Sequence, residues 1–345
     1  MAARVTTGLA AAVCAVGVLA PVAVADPPFG VVPAATDMVG VGVDTTQGFM
    51  NQTSGDYNAS LTAGQPRLYS WDATGYSPIT PKAGATTIAR PDGSGAGFNA
   101  LINNTGATLD YSRSSRGTVV GDPTSYSFVP FARDAVGWSA KAGGHAPANL
   151  STAQLKGIYE CTITNWAQID PSLGNAAIKP VLPQAGSDTR TAFLRALGGS
   201  TVIIPGACVI SGPRNDRGTD PLLNDVDVVF PYSIGVYVDQ VYRGHGTVVE
   251  SPGPLTLRSI NGIAPLNTSQ SINPAFAATA YGRLLWHIFR TPELTGANPH
   301  GAALRAVFGV GGWICAHPAV IIAYGFIPIN NCGTSVSPTG SGAGL

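Results

Sequence analysis

Charge is scarce in this chain. Of 345 residues, 19 are Lys or Arg and 19 are Asp or Glu, and they cancel to a formal net charge of zero. The basic residues are scattered, so the stripe that nucleic-acid binding by counterion release requires is missing, and no nucleic-acid partner is expected. The five histidines (His145, His245, His287, His300, His317) form no H-x-H or H-x-x-x-H pair, and no Cys/His spacing suits zinc. No metal and no cofactor is therefore expected. There is no G-x-x-x-x-G-K-[ST] loop for nucleotide phosphates. Gly93-Ser94-Gly95-Ala96-Gly97 misses the register of a G-x-S-x-G nucleophile elbow. Gly40-Val41-Gly42 opens like a dinucleotide fingerprint, but Thr45 stands where the third glycine belongs. No catalytic residue is assigned and no enzyme is expected. A secreted hydrolase, with triad members far apart in the chain, is the weaker alternative.

What is present is apolar: 45% hydrophobic residues, enough in a chain of this length for two packed domains. The N-terminus reads as an export signal. Arg4 is the only charged side chain before Asp26, an apolar run follows over 9–24, and Ala23-Val24-Ala25 fits the cleavage pattern. Cys14 could mark a lipoprotein, but Val13 stands where a small residue is wanted. The mature chain, exported or held at the cell envelope, keeps Cys161, Cys208, Cys315 and Cys332. An even number in an oxidising compartment implies disulfides. Three connectivities are possible, and proximity in sequence favours Cys161–Cys208 and Cys315–Cys332.

Three turns share one build: a short apolar segment, then Gly and hydroxyl residues, then a helical pattern. They are Val41-Gly42-Val43-Asp44-Thr45-Thr46, Asp92-Gly93-Ser94-Gly95-Ala96-Gly97 and Gln184-Ala185-Gly186-Ser187-Asp188-Thr189. A helix start carries unpaired N–H groups and partial positive charge. Glycine lets backbone approach closely, and Ser/Thr hydroxyls add neutral donors. Three such turns converging would hold an oxyanion without many Lys or Arg.

Strands are expected at 108–111, 126–131, 178–182, 226–230 and 234–238. Helices are expected from Ser151, over about 274–288 and over about 301–308. The apolar stretch 307–327 contains His317, Pro318 and several glycines, so it reads as core helix and strand rather than a membrane span. The tail from Gly333 is expected to be disordered. Strands alternating with helices indicate an α/β fold with mostly parallel sheets, ligands sitting at the strands' carboxyl ends.

The order of these motifs resembles the phosphate-binding proteins of ABC transporters. It runs Gly42-Val43-Asp44-Thr45-Thr46, Gly93-Ser94-Gly95, Leu109-Asp110-Tyr111-Ser112-Arg113-Ser114-Ser115, then Gly186-Ser187-Asp188-Thr189. The helix 150–159 ending in Thr164-Asn165-Trp166 and the segment Ile234-Gly235-Val236-Tyr237 add to it. Gly, Ala and Arg usage points to an actinobacterial version. The resemblance covers about 37–330. It implies a two-domain, type II periplasmic-binding-protein-like fold, with 37–133 plus 275–345 as one domain and 134–274 as the other. Crossovers would lie at 131–134 and near Asn273. It also implies a monomer that passes phosphate or a similar oxyanion to an ABC-transporter permease.

The ligand-facing residues would be Thr45, Thr46, Ser94, Ser114, Ser115, Ser187 and Thr189. Two departures stand out. Ser115 replaces the family's proton-accepting carboxylate, and Leu182-Pro183 falls where the family has an arginine. Arg190, Arg113 or Arg116 could supply the charge. Asp188, where the family has glycine, is either an acceptor for a protonated ligand or an N-cap pointing away, and the cap is the favoured reading. A ligand-free surface protein of the same fold is the other alternative.

Overall fold

Met38–Gly42 is apolar and buried at every residue, which suits a strand covered on both faces. As β1 it pairs in parallel with β2 (Leu68–Ser70) on one side and β3 (Tyr111–Ser114) on the other. Gly40 makes room for a ring, since a Cβ there would lie 2.1 Å from Tyr111. The structure, a computed structural model, describes residues 26–28, 30–199 and 201–339, and the leader expected over 1–25 lies outside them. Among the described residues no helix is long and apolar enough to cross a membrane.

The further strands are β4 (Tyr126–Lys141), β5 (Asn149–Leu150), β6 (Lys179–Leu182), β7 (Ile210–Ser211), β8 (Val228–Ser233), β9 (Leu255–Ile260), β10 (Gly282–Arg290) and β11 (Ile327–Pro328). Their order is β2-β1-β3-β10-β4-β8-β6-β7, with β9 and β11 on β4, and β5 on β9. β1, β2 and β3 are mutually parallel, as are β8, β6 and β7. The sixteen-residue β4 joins the two sets. Its first half runs antiparallel to β10 and its second half antiparallel to β8 and β9. The fold is thus mixed α/β, parallel where strands carry the helix-starting loops and antiparallel along the shared spine.

Buried side chains fall into two groups. Lobe I packs Met38, Phe49, Tyr111, Phe131, Phe289 and Phe308, together with Phe98, Phe128 and Ile288. Lobe II packs Trp138, Trp166, Tyr159 and Phe193, together with Val181, Phe230 and Tyr232. Phe276, Ala277 and Tyr281 belong to the second group, so the chain returns to lobe I at the start of β10. The helices are α1 (Gln47–Ala59), α2 (Ser94–Asn103), α3 (Thr152–Tyr159), α4 (Asp188–Gly198), α5 (Ile234–Tyr242), α6 (Pro274–Ala277), α7 (Thr291–Thr295), α8 (Pro299–Phe308), α9 (Trp313–Ala316) and α10 (Pro318–Ala323).

The helix expected from Ser151 forms as α3, with Ser151 and Gln154 making a reciprocal capping box. Both disulfides join the cysteines that are near in sequence, Cys161–Cys208 and Cys315–Cys332. Three expectations are corrected. The segment 234–238 is helix, not strand: Ser233 caps it by accepting from Val236, and an all-buried apolar run hides the 3.6-residue period. The helix expected over 274–288 is only the single turn α6. The chain then turns at Thr279–Gly282 and continues as β10, whose Leu284–Ile288 run is almost wholly buried. The tail is ordered at its start, because Gly333 N–H donates to Pro130 C=O at 2.9 Å and Val336 pairs with Phe128.

Candidate functional site

Parallel strands put their carboxyl ends on one side, and the loops leaving β1, β3 and β6 emerge there. β1 leads through the 3-10 turn Asp44–Thr46 into α1, and β6 leads through Gly186 and Ser187 into α4. α2 starts behind Gly93, whose φ of +101° is a glycine conformation. A Cβ on Gly93 would lie 2.9 Å from Gly186 C=O, so the starts of α2, from lobe I, and α4, from lobe II, touch backbone to backbone.

Asp188 crosses this seam. Its Oδ2 accepts the Ser94 N–H at 2.7 Å, the first free donor of α2. Ser94 Oγ accepts the Ser115 N–H at 2.9 Å and ties in the loop after β3. The N-cap of α4 is Ser187, whose Oγ accepts from Arg190 N–H and donates to Asn215 Oδ1 at 2.9 Å. Asp188 is therefore not a cap pointing away, because Ser187 already fills that role. Arg283, the second residue of β10, donates through Nη2 to Thr189 Oγ1 at 3.2 Å. Its guanidinium also pairs with Asp134 on β4 at 2.8 Å. Asp134 in turn accepts from Ser233 Oγ and the Gly235 N–H, so one buried carboxylate gathers both crossing strands and the start of α5.

Around these contacts four buried polar groups keep an unused hydrogen-bonding atom: Thr46 Oγ1, Ser115 Oγ, Asn215 Nδ2 and Arg283 Nη1. Thr46, Ser115 and Asn215 are 0%, 3% and 2% exposed. Three of the four are bonded through another atom to a residue at the start of α2 or α4. Thr46 sits at the start of α1. Each can donate. A buried polar group without a partner costs about 1–3 kcal/mol, so four at one seam point to something that accepts from them.

At the rim, Arg214 of lobe II reaches across to Asp44 at 2.9 Å and Asp92 at 2.6 Å. Burial pushes the Asp44 carboxyl up from the usual range, with Arg214 pulling the other way.

The other residues singled out from sequence point elsewhere. Ser114 Oγ donates to Arg116 C=O and shapes its own loop. Arg116 forks onto Asp122 and lies over the Phe98 ring. Arg190 donates to Pro183 C=O and Ser211 Oγ. Arg113 is spent on Val43 C=O, Gly42 C=O, Trp71 C=O and Ser70 Oγ. Thr45 makes only a long contact to Asp44, at 3.4 Å. The positive group at the seam is instead Arg283, which sequence reading hid inside an expected helix. Arg214 and Asn215 were also missed, although Arg214-Asn215-Asp216-Arg217 is an unusually charged run for so uncharged a chain.

A similar fold is found in solved proteins. An ABC-type phosphate transport receptor from Vibrio cholerae superposes with a TM-score of 0.59 at 18% identity, covering 85% of this chain and 100% of that one. A putative phosphate ABC transporter substrate-binding protein from Clostridium perfringens, solved with bound phosphate, superposes with a TM-score of 0.60 at 14% identity over the same shares. At such identities the likeness is one of fold. No curated protein sequence matches the chain. The profile of the PBP superfamily domain matches residues 53–276, which takes in both crossing strands' neighbours, α2, α3, α4 and α5, and on that match the chain belongs to the PBP superfamily.

Proposed function

We propose that this is an exported solute-binding protein that holds a small tetrahedral oxyanion, phosphate foremost, between its two lobes and does no chemistry on it. The observation that carries this reading is a set of buried, unused donors, three on residues bonded to the two helix starts that face each other across the seam and the fourth, Thr46 Oγ1, at the start of α1. Hydrogen bonds to a charged group contribute about 1.5–3 kcal/mol each. Four of them, with the α2 and α4 amides, reach the roughly 8 kcal/mol of micromolar binding even after ordering costs. The fold shared with phosphate receptors supports the same ligand class, and an ABC-transporter permease is then the natural partner. Closure would turn about Asp134 and Arg283, where β4 and β10 pass between lobes. Ser115 and Asp188 depart from the family pattern, so oxyanion choice rests on different groups here.

Calorimetry of the purified mature chain against phosphate, sulfate and molybdate tests this. Micromolar or tighter phosphate binding is expected. Silence with all three would leave a ligand-free surface protein of the same fold.

A further inference from the structure

Asp188 is the first residue of α4, just after its cap, and its Oδ2 accepts the Ser94 N–H of α2 from the other lobe at 2.7 Å. One carboxylate thus lies between two positively polarised helix starts, the place where an anion is most stabilised. Glycine makes the approach possible. Gly93 and Gly186 both hold positive φ, and a Cβ on Gly93 would lie 2.9 Å from Gly186 C=O and 3.8 Å from Asp188 Oδ2. At the rim a second group crosses in the same direction. Arg214 of lobe II sets Nη2 2.9 Å from Asp44 and Nη1 2.6 Å from Asp92, both in lobe I. Asp44 opens the turn into α1, and Asp92 precedes the cap of α2. Asp216 of lobe II lies 3.6 Å from Arg214 Nε, behind the fork, and keeps the guanidinium pointed across the seam.

Parting the lobes breaks the carboxylate–amide bond and both ion pairs together, and only water replaces them. All three are charge-assisted, the stronger kind of hydrogen bond. We propose that the protein latches itself shut: Asp188 fills the anion's place at the start of α2 and Arg214 locks the rim, so that the resting form is closed. A ligand then competes with Asp188 for the Ser94 N–H instead of drawing an open cleft together. The latch goes beyond the oxyanion reading and does not depend on it, because every group that holds the seam belongs to the chain.

Pulsed electron–electron double resonance on the mature chain tests the proposal. Spin labels go on Asn99→Cys of α2 and Arg195→Cys of α4, both exposed and one on each lobe, while the two disulfides keep the native cysteines unlabelled. The ligand-free protein is expected to give one short distance that inorganic phosphate does not shorten. Asp188→Ala together with Arg214→Gln should shift most of the distribution to longer distances. A wild-type distance that shortens on adding phosphate would overturn the latch, and so would a double variant whose distances match wild type. If the variant opens and phosphate closes it again, both the latch and the oxyanion reading hold. If it opens and phosphate leaves it open, the latch holds and the oxyanion reading fails. Should the double variant not fold, Arg214→Gln alone is read in the same way, since Arg214 makes two of the three bonds.

Discussion

Asp188 is the most unexpected side chain at the seam. A carboxylate there occupies the Ser94 amide that an oxyanion would use, and it brings a like charge to the site. It is half-buried on the helix start. At contact distance one like charge costs up to about 4 kcal/mol at an effective dielectric of 20, and exposure reduces this considerably. Asp188→Asn keeps an acceptor for Ser94 and removes the charge. Phosphate affinity should therefore rise roughly tenfold in calorimetry, about 1.4 kcal/mol. Weaker binding would show that the carboxylate helps the ligand, as a proton acceptor would, and unchanged binding would show that its charge does not reach the ligand. Ser94, Ser187 and Thr189 were legible from sequence because Gly followed by hydroxyl residues advertises a helix start, whereas Ser115 came only with the family resemblance. Arg283 was not, because nothing local links position 283 to position 189; only β10 beside β4 brings them together.

At the scale of elements, β10 joins hinge and core in one strand. Arg283 sits at the crossing, and four residues on, His287 lies between the rings of Phe131 and Phe308 with Nε2 toward Met50 Sδ. Burial, and then the positive Arg113, push His287 down to about 3. Between there and the ordinary value of 6.5 the unfolded chain binds a proton that the native one does not. Stability from this group is therefore full above about 6.5 and falls as pH drops toward 3. His287→Phe removes the effect. Relative to wild type, the variant should gain about 2 kcal/mol in urea-unfolding free energy between pH 7 and pH 5. Parallel pH profiles for the two proteins would contradict a neutral buried imidazole. β10 and α5 are also where sequence periodicity misled. The misread stretches, 234–238 of α5 and 285–289 of β10, are buried at every residue, and a run with no wet face offers no period to read. Where a face stayed wet, as in α3 and α8, the expected helix formed.

For the whole molecule, two hydrophobic groups share one spine; polar contacts join them beside the site, and the Tyr324 ring stacks on His245 farther along. Gly93 meets Gly186, Asp188 meets Ser94, and Arg214 bridges to Asp44 and Asp92. The polar part of this seam is the part that ligand capture between lobes would have to open. The α/β class and the side on which the loops gather were readable from strand–helix alternation. The seam was not, because it depends on residues from both lobes meeting in space. The central claim is that the starts of α2 and α4 and the four unused donors surround one anion. The most direct measurement is anomalous diffraction from a crystal of the mature chain grown with arsenate. A single anomalous peak within hydrogen-bond distance of Ser115 Oγ, Arg283 Nη1 and the backbone amides at 94 and 189 is the predicted result. Arsenate found only on the outer surface, with the seam unchanged, would contradict it.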